Sequence, residues 1–183
     1  MITDLTFSLV VATWSGLLLV AMSGGKFQLT TTSFEDGKAI PTKYAYTGVS
    51  GAQNVSPQLK WDSPPPGTKS FALICVDRHP IASNWIHWLV VNIPSSAESL
   101  AEGASRTSKM PEGSLELKNS FGPVGWGGPQ PPKGSGVHSY EFLLYALNVD
   151  KLSLSGDITL ASFRHSIEGK VLGTVRLEGT YTR

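Results

Sequence analysis

At 183 residues, 40% of them apolar and 16% charged, the chain is long enough to bury one sizeable core and too apolar to be disordered. A formal net charge of +1, with the Lys and Arg scattered, leaves no basic excess for a phosphate backbone and excludes nucleic acid as the partner. Nineteen Gly and 12 Pro favour short strands and long ordered loops over a helical bundle.

From Leu5 to Met22 the sequence is apolar and uncharged, and Ala21 and Ser23 suit the small positions of a signal-peptide cleavage site, which would start the mature chain near Gly24. The flank before it carries Asp4 and no Lys or Arg, unlike a signal peptide. Residues 1–23 are therefore read as a signal peptide or a membrane anchor, with an extra buried element as the third option. Cleavage implies a periplasmic or secreted protein; retention implies a membrane-anchored one, in contact with lipid only through residues 5–22, and a buried element a cytoplasmic one.

Residues 26–183 read as one domain. Short strands are expected over Lys26–Thr31, Thr42–Tyr46 and Leu59–Trp61, each bounded by Gly, Pro, Asn or Asp. The unbroken apolar runs Ser70–Val76, Trp85–Ile93 and Tyr140–Val149 suit strands buried on both faces. Between Pro94 and Val137 the chain is mostly Gly, Pro, Ser and polar, hence loop. Leu160, Phe163, Ile167 and Val171 recur at helical spacing behind Asp157 or Thr159 as N-cap, and Thr174–Thr182 alternates as a last strand. The sum is a mainly antiparallel sheet or sandwich with one or two helices near the carboxyl end. The single cysteine, Cys75, lies inside an apolar run and reads as a buried thiol without a disulfide partner.

Certain polar residues stand out against this apolar pattern. His87, inside Trp85-Ile86-His87-Trp88-Leu89-Val90-Val91, must find a hydrogen-bond partner. Two readings are open: a core histidine on a backbone carbonyl, or a site residue whose tautomer is fixed by Asp77 from a neighbouring strand. His138 and Tyr140 are two apart on a strand and share a face. The loop Gly122–Gly136 ahead of them is dense in Gly and Pro, so that its amides can approach a ligand.

The series Ser56-Pro57, Trp61, Pro66-Gly67-Thr68-Lys69-Ser70-Phe71, Asp77, His87-Trp88-Leu89-Val90-Val91-Asn92-Ile93-Pro94, Gly125-Trp126-Gly127-Gly128-Pro129-Gln130-Pro131-Pro132, His138-Ser139-Tyr140 and Leu177-Glu178-Gly179-Thr180-Tyr181 closely resembles the phosphatidylethanolamine-binding proteins. The nearest branch is that of the bacterial Raf-kinase-inhibitor-like proteins, and the likeness spans Lys26 to Arg183. The resemblance implies a large antiparallel sheet packed with a smaller one, and a small anion pocket. Its lining would be Asp77, His87, His138 and Tyr140, with Trp85 and the backbone around Gly128, Gln130 and Pro131 completing the wall. Two imidazole N–H groups, a phenol and loop amides would then form a donor cluster for a phosphate ester or a carboxylate.

The chain departs from the family pattern at Asp77-Arg78-His79-Pro80-Ile81, where a histidine stands for the second acidic residue and an arginine is added, and at Ser139 and Gln130. His79 raises the question of a metal held by Asp77, His79, His87 and His138, but the Asp77-x-His79 spacing matches no compact metal motif, and no metal or other cofactor is expected. His165 reads as an exposed or capping residue. The leading functional expectation is non-enzymatic binding of a small anionic head group, modulating a partner protein through the same mouth. The alternatives are a kinase or protease inhibitor, and an enzyme using His87 or His138 in acid–base chemistry; no sequence pattern sets a serine, threonine or cysteine beside a base.

Overall fold

The computed structural model describes residues 25–154 and 157–183; residues 1–23, read above as a signal peptide or anchor, lie outside the described residues. In chain order the strands are β1 (Gln28–Thr30), β2 (Leu59–Asp62), β3 (Ser70–Asp77), β4 (Ile86–Pro94), β5 (Ser99–Leu100), β6 (Leu115–Glu116), β7 (His138–Leu147) and β8 (Val171–Tyr181), with helix α1 (Leu160–Ile167) between the last two. They form a five-stranded sheet ordered β6-β4-β3-β7-β8 and a three-stranded sheet ordered β1-β2-β5, with antiparallel pairing throughout.

The apolar run of β3 is unbroken because both faces of the large sheet are covered. Phe71, Leu73 and Cys75 pack with Leu29, Leu59 and Trp61 of the small sheet. Ala72, Ile74 and Val76 point the other way, into a second cluster with Leu160, Phe163 and Ile167 of α1. Every residue of β3 is buried. In β7 the same parity sends Tyr140, Phe142 and Leu144 toward the small sheet, and Tyr145 and Leu147 toward the helix. The expected architecture is thus found, a mainly β protein with a large antiparallel sheet packed on a smaller one. The described residues hold one α-helix. Thr159, not Asp157, caps it, in a reciprocal box with Ser162.

Two expectations need correction. Thr42–Tyr46 is not a strand: Thr42–Tyr44 form a 3₁₀ turn, because Pro41 fixes φ at −58° and its carbonyl accepts from Tyr44 N at 3.0 Å. Burial of the Tyr44 ring, with its hydroxyl on Glu102 at 2.6 Å, outweighs the β-preference of Thr and Tyr. Val171 does not extend the helix. Gly169, at φ 70°, ends it in a left-handed turn, and Val171 opens β8.

Candidate functional site

Strand geometry brings the site together at one end of the large sheet. Asp77 is the last residue of β3 and lies opposite Tyr140 of β7 in the antiparallel register. His138, two residues earlier in β7, shares the face of Tyr140, and Asp77 shares that of Cys75, so all three side chains point toward the small sheet. On β4, Cys75 pairs with Trp88 and Val76 with Ile86, which leaves His87 as the extra residue of a β-bulge. The bulge aims the ring at Tyr140 and Phe121, with ring centroids 4.9 and 5.6 Å away.

Between these side chains lies a cavity of about 270 Å³. Asp77, Trp85, His87, Gln130, Pro131, His138 and Tyr140 line it, together with Ile81, Ala82, Phe121 and Pro132, which the sequence had not singled out. Phe121 carries most of that addition, standing edge-on to Trp85 and His87 and stacked on Tyr46 at 4.1 Å. Its one signal in the sequence is a large aromatic set among small and polar loop residues. Among the described residues no Lys or Arg lines the cavity. Arg78 is spent outside, on Glu141 at 3.3 Å and on Asn84 Oδ1 at 2.6 Å.

The hydrogen bonds choose between the two readings of His87, and the histidine on a backbone carbonyl is the one found. Asp77 Oδ2 accepts from His138 Nδ1 at 2.6 Å and its Oδ1 from the His79 amide at 2.8 Å, so His138 and not His87 is the histidine it holds. His87 Nδ1 instead donates to Gly127 O at 2.6 Å. Burial lowers the pKa of His87 to about 4, against the opposing pull of the Gly127 carbonyl and the Asp77 charge. At neutral pH the ring is uncharged, its N–H is committed to Gly127, and Nε2 remains as an acceptor. The second imidazole donor expected from the sequence is therefore an acceptor instead.

Tyr140 supplies the opposite character. Burial, and next the Asp77 charge, hold its phenol protonated far above the usual range. The hydroxyl is buried and makes no hydrogen bond of normal length among the described residues, with the Asp77 carboxylate as its nearest acceptor. Such an orphan in a cavity wall is a donor waiting for an acceptor.

The loop amides do not converge as expected. Gly125, Trp126, Gly127 and Gly128 donate their N–H groups to Leu117 O, Ser105 Oγ, His87 O and Asn54 Oδ1, and Pro129, Pro131 and Pro132 have none. Within residues 125–132, among the described residues, the Gln130 amide alone is left. Gly128 is not in the lining at all, because it stands behind the wall, pressed against the backbone of Tyr44 and Ala45. A Cβ there would fall 1.9 Å from Tyr44 O, so Gly128→Ala is expected to lower stability by about 1–3 kcal/mol or more, read as a drop in Tm.

His79, the departure from the family pattern, stacks its ring on His138 with centroids 3.9 Å apart and planes 14° from parallel. Stacked rings present their nitrogens side by side instead of at one point, and no group of three or more His, Cys, Asp or Glu among the described residues is arranged to hold a metal ion. His165 is exposed on α1, next to Glu168.

The family model described as phosphatidylethanolamine-binding protein matches residues 30–182. A UPF0098 protein of Methanothermobacter thermautotrophicus is 39% identical over 155 residues, covering 85% of this chain and 98% of its own length. The crystal structure of Escherichia coli YbcL, described as a member of the mammalian PEBP family, superposes with a TM-score of 0.80 at 33% identity, over 87% of this chain and 99% of that one. A Mycobacterium tuberculosis protein named as a lipoprotein, LppC, is 34% identical over 153 residues, covering 84% of this chain and 71% of that protein. The chain belongs to the phosphatidylethanolamine-binding protein family, on its bacterial branch with YbcL and YbhB.

Proposed function

We propose that the cavity binds a small oxyacid head group, a phosphate ester or a carboxylate, joined to an apolar body. The observation that carries this reading is the orphaned hydroxyl of Tyr140, a buried donor beside His138 and His87. An oxygen of the ligand would satisfy it, and a proton on the same head group would meet His87 Nε2. That combination favours a monoprotonated phosphate ester or a carboxylic acid over a dianion, since among the described residues no Lys or Arg lines the cavity to balance a second charge. Trp85, Phe121, Ile81, Pro131 and Pro132 give the group apolar walls, and about 270 Å³ suits a ligand smaller than a drug-sized one.

Isothermal titration with inorganic phosphate, phosphoethanolamine and acetate tests the reading. One of the three is expected to bind, and Tyr140→Phe to weaken it by about 10- to 100-fold, the worth of one hydrogen bond to a charged group. Equal affinity in wild type and Tyr140→Phe would sink it.

Export is part of the proposal. Its support is the uncharged apolar stretch Leu5–Met22 and the lipoprotein name of LppC. The intact mass of the protein recovered from its host is expected to show loss of about the first 23 residues; a full-length mass in the soluble fraction would reject export.

A further inference from the structure

We propose a second chemistry beside the cavity: Ser135, His138 and Asp77 form a relay that makes Ser135 Oγ a nucleophile for acyl transfer from small carboxylic esters. The proposal goes beyond head-group binding and does not depend on it.

The geometry is that of a nucleophile, a base and an orienting acid. Ser135 Oγ lies 2.9 Å from His138 Nε2, and His138 Nδ1 lies 2.6 Å from Asp77 Oδ2, both within the reach such relays require. A carboxylate only accepts, so the Nδ1 proton belongs to that bond, which leaves Nε2 as the ring nitrogen that faces the serine. The base is held firmly. His138 and Asp77 are almost fully buried, the other Asp77 oxygen is fixed by the His79 amide, and the His79 ring lies flat on His138.

The serine itself is reachable. It is half-buried at a turn between Gly134 and Gly136, whose φ angles of 75° and 90° only glycine adopts readily, and around both glycines there is open space. Pro132 and His138, the two hydrogen-bond partners of its hydroxyl, both line the cavity. Oxyanion donors stand next in the chain: Gly136 N and Val137 N have no acceptor among the described residues. The amide that follows a nucleophile serves this purpose in serine hydrolases.

The hydroxyl has one proton and two acceptors, Pro132 O at 2.7 Å and His138 Nε2. Rotation from the first to the second is the activating step. The proton then passes to Nε2 as Oγ bonds to the ester carbonyl carbon, and the oxyanion faces the two free amides. The ester C–O bond breaks, and Nε2–H protonates the leaving alkoxide. Water, deprotonated by Nε2, releases the acyl group as a carboxylic acid and restores the Ser135 hydroxyl. Atoms and protons balance with water as the only co-reactant. Because the roles depend on geometry and not on chain order, the arrangement Asp…Ser…His carries no recognisable motif.

An alkyl fluorophosphonate tests the relay on the full chain. Oγ displaces fluoride at phosphorus, the P–F bond breaks, and the proton leaves by way of Nε2. The expected result is a single adduct by intact mass, mapped to Ser135 by peptide mass spectrometry and absent in Ser135→Ala. Labelling is expected to slow by about 10²- to 10⁴-fold in His138→Gln and in Asp77→Asn. Should either of those fold poorly by near-UV circular dichroism, Ser135→Cys takes its place, and its introduced thiol is expected to react with iodoacetamide faster than free cysteine at the same pH. No adduct on Ser135 of the folded protein overturns the proposal, as does equal labelling in His138→Gln or a Ser135→Cys thiol no faster than free cysteine. The probe carries no head group, so a failure here leaves the phosphate titration to be judged separately.

Discussion

Replacing Asp77 by alanine is expected to lower the unfolding free energy by about 3–5 kcal/mol, because two hydrogen bonds to a charged acceptor are lost at about 1.5–3 kcal/mol each. Asp77 is 4% exposed and closes two contacts at once, His138 Nδ1 at 2.6 Å and the His79 amide at 2.8 Å. Its removal takes the acceptor from both donors at once. His138 is 1% exposed and its face is covered by His79, so it cannot turn out to solvent without breaking that stack. Asp77→Asn keeps an acceptor oxygen and the side-chain volume, and is expected to lose only about 1–2 kcal/mol. Urea unfolding of the three proteins, followed by tryptophan fluorescence, gives the values. An alanine variant within about 1 kcal/mol of wild type would show that the pair is slack and that the cavity floor is not fixed by it.

The fold was legible wherever an apolar run is longer than a turn needs. β3, most of β4 and the carboxyl half of β7 run apolar because they lie between the small sheet and α1, and a strand buried on both faces leaves that mark whatever its neighbours are. Thr42–Tyr44 was not legible as a 3₁₀ turn, since the reason for it, the burial of Tyr44 with its hydroxyl on Glu102, lies 58 residues away in the chain.

The site divides in the same way. His138 and Tyr140 share a face by strand parity alone, and that part could be read directly. The partner of His87 could not. A one-residue bulge at His87 changes which way its ring points, and the carbonyl that receives it belongs to Gly127, 40 residues on. The crowding of Gly and Pro in residues 122–136 announced a site but not its chemistry. Those glycine amides are spent on holding the loop to Leu117, Asn54 and His87, and the polar contact that matters, Ser135 on His138, depends on a turn set by two left-handed glycines.

His87 is expected to make the protein lose stability on mild acidification, by about 3 kcal/mol between pH 6.5 and pH 4. The ring is buried and neutral, with its pKa lowered from 6.5 to about 4, while in the unfolded chain it titrates near its ordinary value. Between these two values the unfolded state binds the proton and the folded state does not. Acid therefore favours unfolding throughout that window, the stability is fully present above pH 6.5, and the loss is complete below about pH 4. Carboxylates titrate in part of the same range, so the His87 share is read as a difference. His87→Gln retains a donor for Gly127 O and does not titrate, and its stability profile is expected to be flatter than wild type by that amount when urea midpoints are measured from about pH 7 to about pH 4. Parallel profiles would mean that His87 is not the buried neutral base described here.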